Sequence, residues 1–284
     1  MAWPVDGRGR DVPRRGADAM SEQEFRERLV ETVVRARLKM DAGYGFPAEL
    51  DQAQARLYHA TFMKNFSYFA WKFPSWLLEI ASRCPFQDVR RTIIEDCVDE
   101  EVGDTDADDR CHIDVLYDEA EACGMSREEI AATPATPILL ACVHAFENFS
   151  RTLTWEASFA ALSALEIGST QEAVQLRKQL LSETQLAEGL SSRESKSLSE
   201  RTGVPADQLM FAALHTYKDQ FHGGGELDLL VKYGNTRESQ EAMLWAAKAS
   251  IDVFLVMRAE IDRLAREAVG LPPVEAEAVL EASA

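Results

Sequence analysis

Apolar residues recur at helical spacing through most of this chain, and no other feature restricts its fold as strongly. The stripe formed by Phe25, Leu29 and Val33 is typical, because residues four apart lie on the same face of an α-helix. Runs of alternating apolar and polar residues, which would indicate strands, are absent from the sequence. The chain is therefore predicted to be an all-α protein, a single domain whose helices pack around one core.

The sequence also predicts where the other helices lie. Ser126, with Glu129 three residues later, forms the capping box of a short helix. Pro74 is expected to kink or split the helix that contains it, because proline removes a backbone hydrogen bond. The longer helices are predicted over residues 51–83, 86–101, 109–123, 136–167, 206–222 and 236–268.

Both ends of the chain contain little that could be buried. Residues 1–20 combine arginines with glycines and prolines and are predicted to form a disordered tail, and residues 271–284 a flexible one. The folded domain is accordingly expected over residues 21–270. Inside it, the polar stretch 191–208 is predicted to be a loop, and the glycines at 223–225 are predicted to end a helix.

Charge and cysteine content restrict the partners and the compartment. The 30 Lys and Arg against 48 Asp and Glu give a net charge of −18, which argues against nucleic acid and an anionic membrane surface as partners. No apolar run approaches the roughly 18 residues of a membrane span. The five cysteines are odd in number and form no CxxC pair, which favours reduced, buried thiols in a cytoplasmic protein.

The most informative motif is His215-x3-Asp219-x2-His222, which falls on a predicted helix. Positions i, i+4 and i+7 lie within roughly 40° of one another on one helix face. The neighbours Phe211 and Leu214 indicate that this helix is largely buried, where unsatisfied polar groups are costly. A divalent metal would satisfy two imidazoles and a carboxylate. The alternative is a solvated polar stripe with a His–Asp ion pair.

Two further regions contain candidate ligands. A block of carboxylates precedes His112, and most of them are expected to be solvated surface, although one Glu together with His112 could bind metal. Glu166 ends an apolar helix, where it is either exposed or a buried ligand, and the helix dipole there favours a nearby cation. His59 and His144 lie among apolar residues and are interpreted as interior histidines rather than ligands.

Taken in this order, the three regions resemble the haem-oxygenase-like di-iron oxidases and oxygenases, relatives of the PqqC/TenA-type helical fold. The resemblance spans roughly residues 55–265 and includes the segment YFAWKFPSWLLEIASRCP. It implies a haem-oxygenase-like helical bundle. Because the gap before His112 is wider than in some members, Glu100 could replace Glu101. The metal ligands implied by the resemblance are Glu101, His112, Glu166, His215, Asp219 and His222.

The resemblance also implies an activity. Two Fe(II)/Fe(III) ions would use O2 as co-substrate to oxidise a small metabolite in a biosynthetic pathway, with no catalytic residue assigned beyond the ligands. N-oxygenation of an amine or amino-acid-like substrate is the expected reaction. Oxidative C–C cleavage of an amino or fatty acid, and a non-catalytic ligand-binding protein of the same fold, are the alternatives. A homodimer is expected, and an external electron donor is compatible with this chemistry.

The segment GDTDADD, which separates the two candidate glutamates from His112, leads to a prediction. Glycine and clustered aspartates disfavour helix, yet candidate ligands flank them on both sides. In the resembling family this region orders on metal binding, so a labile second iron is expected here. Anaerobic loading with ferrous iron should increase the protease protection of residues 95–112. Equal cleavage with and without iron would contradict this prediction.

Overall fold

A computed structural model of the protein describes residues 14–43, 46–182 and 197–274. Inside these ranges a few helical positions are described by their backbone alone. They are residues 39–43, 181–182, 212–213 and 216–221.

The described part of the chain is helical, as predicted, and contains no strand beyond one isolated bridge between Asp104 and Arg110. Two short 3₁₀ segments occur at Thr105–Ala107 and Ala206–Gln208. The described α-helices, in chain order, are α1 (Glu22–Gly43), α2 (Gln52–Arg83), α3 (Gln87–Glu101), α4 (His112–Ala122), α5 (Arg127–Ala132), α6 (Pro137–Thr152), α7 (Trp155–Ile167), α8 (Gln171–Ser182), α9 (Leu198–Thr202), α10 (Met210–Tyr233) and α11 (Arg237–Ala268).

Helix α7 lies at the centre of the bundle. Every residue from Ala157 to Ala164 is buried, so this helix is enclosed on all sides, as expected for a helix that is apolar all round. Its most extensive contacts are with α11 and then with α10. The alanines and serines of α7 keep its surface narrow, which allows its neighbours to approach closely. Glu166, at the C-terminal end of α7, is thereby placed in the interior of the protein.

Helix α2 supplies an aromatic wall next to this central helix. The ring of Phe69 contacts those of Phe73 and Trp76 on the same helix, and those of Phe146 and Phe254 on other helices. Because aromatic pairs of this kind add to the free energy of burial, the wall stabilises α2 along its length.

Pro74 does not split α2, which continues to Arg83. Pro74 is itself buried, and apolar residues on both sides of it pack into the same core. The capping box of Asp51 and Gln54 additionally fixes the start of the helix. Tertiary packing therefore outweighs the roughly 3 kcal/mol that an interior proline costs a helix.

Three other sequence interpretations are wrong. The segment 136–167 forms two helices, because the side chain of Thr154 caps a new helix by accepting from the backbone N–H of Ala157. The glycines at 223–225 do not end a helix, since α10 continues to Tyr233. His144 is exposed, because the opposite face of α6 packs against the core. Its Nδ1 lies 3.1 Å from Glu147 Oε2.

Part of the segment assigned to the N-terminal tail contacts the helical body. Met20 is buried, and its backbone N–H donates to Gln240 Oε1 at 2.8 Å. Arg15 donates to the carbonyls of Val231 and Gly234 at the end of α10, where carbonyl groups lack helical partners. Residues 1–13 and 275–284 of the predicted tails lie outside the described residues.

The remaining predictions concern the polar stretch, the thiols and the membrane. Of the stretch 191–208, residues 191–196 lie outside the described residues, and the rest contains α9 and a 3₁₀ segment. The five cysteines are free thiols and all but Cys111 are buried; burial raises the pKa of Cys97 to about 12. No helix in the described ranges combines the length and the apolar character needed to cross a membrane.

Candidate metal centre

A cavity of about 250 Å³ lies between α1, α2, α3, α4, α7, α10 and α11. One part of its wall is aromatic and the other contains histidines and carboxylates. The aromatic residues are Phe62, Phe66, Phe69, Phe73, Phe211 and Phe254, and the metal-ligating types are Glu100, His112, Glu166, His215 and His222.

Glu100, His112 and His215 form the tightest group of metal-ligating side chains in the described part of the chain. One ligand atom from each lies within 4.8 Å of the others, and the two imidazole centroids are also 4.8 Å apart. Glu100 comes from the end of α3, His112 from the start of α4 and His215 from the first half of α10. A single ion could therefore bind to three helices at once.

His112 is held between two carboxylates. Its Nδ1 lies 3.0 Å from Glu100 Oε1, and its Nε2 lies 3.0 Å from Asp104 Oδ2. Burial alone would lower the pKa of His112, but the hydrogen bonds and charges of Glu100 and Asp104 outweigh it and raise the pKa to about 9. The imidazole of His112 is therefore positively charged at neutral pH. A metal ion bound between Nδ1 and Glu100 would replace the Nδ1 proton.

The loop between α3 and α4 places Asp104 beside His112. Asp104 is fully buried, its Oδ1 accepts from the backbone N–H of Asp106, and its own N–H donates to the carbonyl of Arg110 at 3.0 Å. Gly103 passes so close to Asp109 that an added Cβ would lie 2.5 Å from the Asp109 carbonyl oxygen. The glycine and aspartate content that disfavours helix thus forms a tight turn around one buried carboxylate.

The imidazole of His215 is oriented by its own helix. His215 Nδ1 lies 2.8 Å from the carbonyl oxygen of Phe211, which can only accept, so Nδ1 carries a proton and Nε2 is available as a ligand. Burial, the main cause, together with the charge of His112, lowers the pKa of His215. The ring of Phe211 packs against His215 in a tilted arrangement with centroids 4.1 Å apart. His215 is therefore the neutral partner of the charged His112.

A buried hydrogen-bond chain fixes the start of α10. Glu119 Oε2 accepts from the backbone N–H of Phe211 at 2.7 Å, and its Oε1 lies 2.6 Å from His59 Nε2. Glu119 is fully buried and His59 nearly so, in agreement with the interpretation of His59 as an interior histidine. This chain joins α2, α4 and α10 one turn before His215.

A second group of polar side chains surrounds His222. Its Nδ1 lies 3.5 Å from Asp96 Oδ1 and 3.8 Å from Glu166 Oε2, and its Nε2 lies 3.8 Å from Asp99 Oδ2. Asp96 is buried and lies one helical turn before Glu100. The two groups are therefore neighbours along α3.

Gly223 allows this second group to form. A Cβ built at Gly223 would lie 2.7 Å from the backbone carbon of Glu166 and 2.8 Å from its carbonyl oxygen. Only a residue without a side chain lets α10 cross the end of α7 at this distance. His222, the preceding residue, is thereby brought to Glu166.

The predicted ligands have the following positions. His112, Glu166, His215 and His222 line the cavity. Glu101 is exposed, whereas the adjacent Glu100 lines the cavity and contacts His112. The side chain of Asp219 lies outside the described residues, although its backbone belongs to α10 between His215 and His222.

Sequence reasoning missed Asp96, Asp99 and Asp104 as members of these groups. Asp96 could have been found, because it precedes Glu100 by four residues and therefore shares its helix face. Asp104 gave no comparable signal, since a buried aspartate in an acidic loop is indistinguishable in sequence from solvated ones.

The donor set fits iron. Imidazole nitrogens and carboxylate oxygens are the ligands of non-haem iron in proteins, and thiolates, which would favour zinc or copper, do not line the cavity in its described part. The family model of iron-containing redox enzymes matches residues 60–254, more than half of the chain. The chain belongs to this family. The matched range includes all the cavity residues named above.

The chain is also similar to individual proteins. The chain is 26% identical to 4-aminobenzoate synthase of Chlamydia pneumoniae over 182 residues, 64% of this chain and 70% of the relative. It also superposes on a TenA homologue of Pseudomonas syringae pv. tomato with a TM-score of 0.57 at 14% identity, covering 88% of this chain and 99% of that one.

A haem-oxygenase-like domain of unknown function from Shewanella denitrificans superposes with a TM-score of 0.55 at 9% identity, covering 84% of this chain and 88% of that one. At these identities the two solved structures establish the fold alone. The haem-oxygenase-like helical fold implied by the sequence is thereby confirmed.

The close crossing at Gly223 predicts that alanine substitutions at Gly223 and Gly225 change the free energy of unfolding in opposite directions. Gly223→Ala should lower the free energy of unfolding by about 1–3 kcal/mol, because the methyl group meets the Glu166 backbone. Gly225→Ala, where no atom lies within 4 Å of an added Cβ, should raise it by about 0.5–1 kcal/mol. Thermal and urea denaturation of the two variants measure this difference. Equal stability of both variants would contradict the close approach.

Proposed function

We propose that the protein is a non-haem iron oxygenase or oxidase that uses O2 to oxidise a small metabolite in this cavity. The convergence of Glu100, His112 and His215 within 4.8 Å is the observation that carries the proposal. Membership of the iron-containing redox enzymes supports it. The aromatic part of the wall supplies an apolar surface for an organic substrate next to the ligands.

The first iron would be held by Glu100, His112 and His215, and bound iron would supply the one-electron chemistry that O2 requires. Asp104 would accept the Nε2–H of His112 and so keep Nδ1 directed at the metal, as carboxylates commonly do for metal-bound histidines. The Phe211 carbonyl would accept the Nδ1–H of His215 and so keep Nε2 directed at the metal. These two contacts orient the ligands before any metal binds.

A second iron would be held by Glu166 and His222, with Asp219 as the third ligand predicted from the sequence. Asp96 supports this position, since its Oδ1 lies 3.5 Å from His222 Nδ1. Neighbouring positions on α3 would then serve both ions, Asp96 at one and Glu100 at the other. A di-iron centre at these residues is a proposal built on the spacing of the side chains and on the sequence motif.

The proposed reaction is oxygenation at the nitrogen of an amine or amino-acid-like substrate. Carboxylates gather on the ligand side of the cavity, where they would attract an amine as well as a metal ion. Oxidative C–C cleavage is the alternative reaction, and product mass separates the two, since the first adds oxygen and the second removes carbon. The homodimer and the external electron donor also remain proposals.

A second candidate function follows from one relative. The likeness to 4-aminobenzoate synthase supports formation of an aminobenzoate, a flat aromatic molecule suited to a cavity lined by phenylalanines. Mass spectrometry tests this candidate after aerobic incubation of the iron-loaded protein with reductant and a panel of aromatic amines and aromatic amino acids, which supply the ring and the nitrogen. A 4-aminobenzoate peak that depends on iron and O2 is expected; its absence, with O2 consumed only when an amine is added, would favour N-oxygenation.

Two adjacent glutamates provide a matched test of the first iron position. Glu100→Gln should weaken binding of ferrous iron more than about tenfold and abolish O2 uptake, because it removes a ligand beside His112. Glu101→Gln should leave both within about twofold, since Glu101 is exposed. Iron quantification after anaerobic loading and dialysis, followed by O2 uptake with a panel of amines, measures both effects.

The opposite outcome of this comparison would contradict the proposed ligand set. If Glu101→Gln lost iron and Glu100→Gln kept it, the metal would bind on the other face of α3. If the wild-type protein retained no iron at all, the proposed oxidation would fail, and the protein would be a ligand-binding member of the fold.

A further inference from the structure

Arg258 places a positive charge in the wall of the cavity. It lies on α11 one turn after Phe254, and its guanidinium carbon is 4.2 Å above the ring centroid of Phe62. Its Nε is buried and has no hydrogen-bond partner. Burial, the main cause, lowers the pKa of Arg258 to about 10, which still leaves the side chain charged at neutral pH.

The charge of Asp262 acts to raise the pKa of Arg258, but Asp262 makes its hydrogen bonds to other side chains. Asp262, one turn further along α11, accepts a hydrogen bond from the hydroxyl of Tyr58 and pairs with Arg266 Nε at 2.8 Å. Within the described residues Arg258 forms no ion pair or hydrogen bond, and Phe62 is its cation–π partner. A buried charge left in this condition is costly, so an anion in the cavity would be stabilised there.

Other features of the cavity favour an anion at the same place. Arg37 of α1 also lines the cavity, and its charge contributes to lowering the pKa of Arg258, so two guanidinium groups act on one space. The carboxylates that line the cavity belong to the metal-ligating group instead.

A series of aromatic ring contacts connects Arg258 to the candidate metal ligand His215. Phe62 lies under the guanidinium, and successive ring contacts run from Phe62 to Phe66, from Phe66 to Phe211 and from Phe211 to His215. The charged end and the ligand end of the cavity are therefore joined by an apolar surface. A molecule that contacts both ends needs an anionic group, an apolar body and an oxidisable group.

We propose that Arg258 binds the carboxylate of the substrate and holds it away from the metal, so that the substrate is a small carboxylic acid with an apolar or aromatic body. This inference rests on the proposed function for the oxidation itself. Arginine binds carboxylates through two parallel N–H groups, which would orient the substrate as well as bind it. The phenylalanine wall disfavours a strongly hydrated ion such as inorganic phosphate.

Matched acids and amides test this proposal on the full-length protein. Benzoate and phenylacetate would be titrated by calorimetry against benzamide and phenylacetamide, with anaerobic iron-loaded protein and again after chelation. Both acids should bind at least about tenfold more tightly than their amides, with or without iron. Equal binding of acids and amides, or no binding of either acid, would overturn the proposal.

Substitutions identify the residue. Arg258→Gln should weaken binding of both acids at least about tenfold while the amides are unaffected, and Arg258→Lys should recover part of the loss. Arg263→Gln is the matched control, because Arg263 lies on the same helix and pairs with Glu260 and Glu267 instead. Unchanged acid binding by Arg258→Gln would exclude Arg258 as the receptor.

The two proposals fail in distinguishable ways. Acid binding that is lost on chelation would show a carboxylate bound to the metal, which overturns the role of Arg258 and leaves the iron site intact. Acid binding that persists in a protein unable to retain iron would overturn the proposed oxidation and leave the role of Arg258 intact. If Arg258→Gln failed to fold, the comparison of acids with amides on the wild-type protein would still decide.

Discussion

The imidazole of His112 lies between Glu100 and Asp104, and the segment joining α3 to α4 is built around these two contacts. Buried charges are costly unless other charges or hydrogen bonds compensate them. Here the compensation requires the end of one helix, a tight turn and the start of the next helix to meet at one side chain. The arrangement stabilises the turn and also orients His112 toward His215, so fold and site share one set of interactions.

Periodicity predicts most of the fold because burial follows helical spacing. The stripe that contains Phe25 and Leu29 is buried as expected, and α3 ends at Glu101, as the pattern over 86–101 predicts. The choice between Glu100 and Glu101 is harder, because consecutive residues on a helix point about 100° apart and either could face the interior. Only the position of α4 relative to α3 decides which glutamate contacts His112.

Features that depend on contacts between distant segments were beyond the sequence. Glycines 223–225 resemble a helix end, yet Gly223 is required by the crossing of α10 over α7, which no local pattern encodes. Pro74 is likewise typical of a helix break, and only its packing into the core, which involves distant segments, explains why α2 continues through it. Arg258 carried no motif, and its importance follows from Asp262 being engaged by Tyr58 and Arg266 instead.

The cavity arginines have an electrostatic consequence for a protein of net charge −18. Arg258 attracts an anion at short range, but the net negative charge of the protein repels an approaching anion over about one Debye length, which is about 8 Å at physiological ionic strength and longer in dilute buffer. Entry of an anionic molecule would therefore be slow in dilute buffer and accelerate as salt screens the outer field, the reverse of the usual steering of oppositely charged partners.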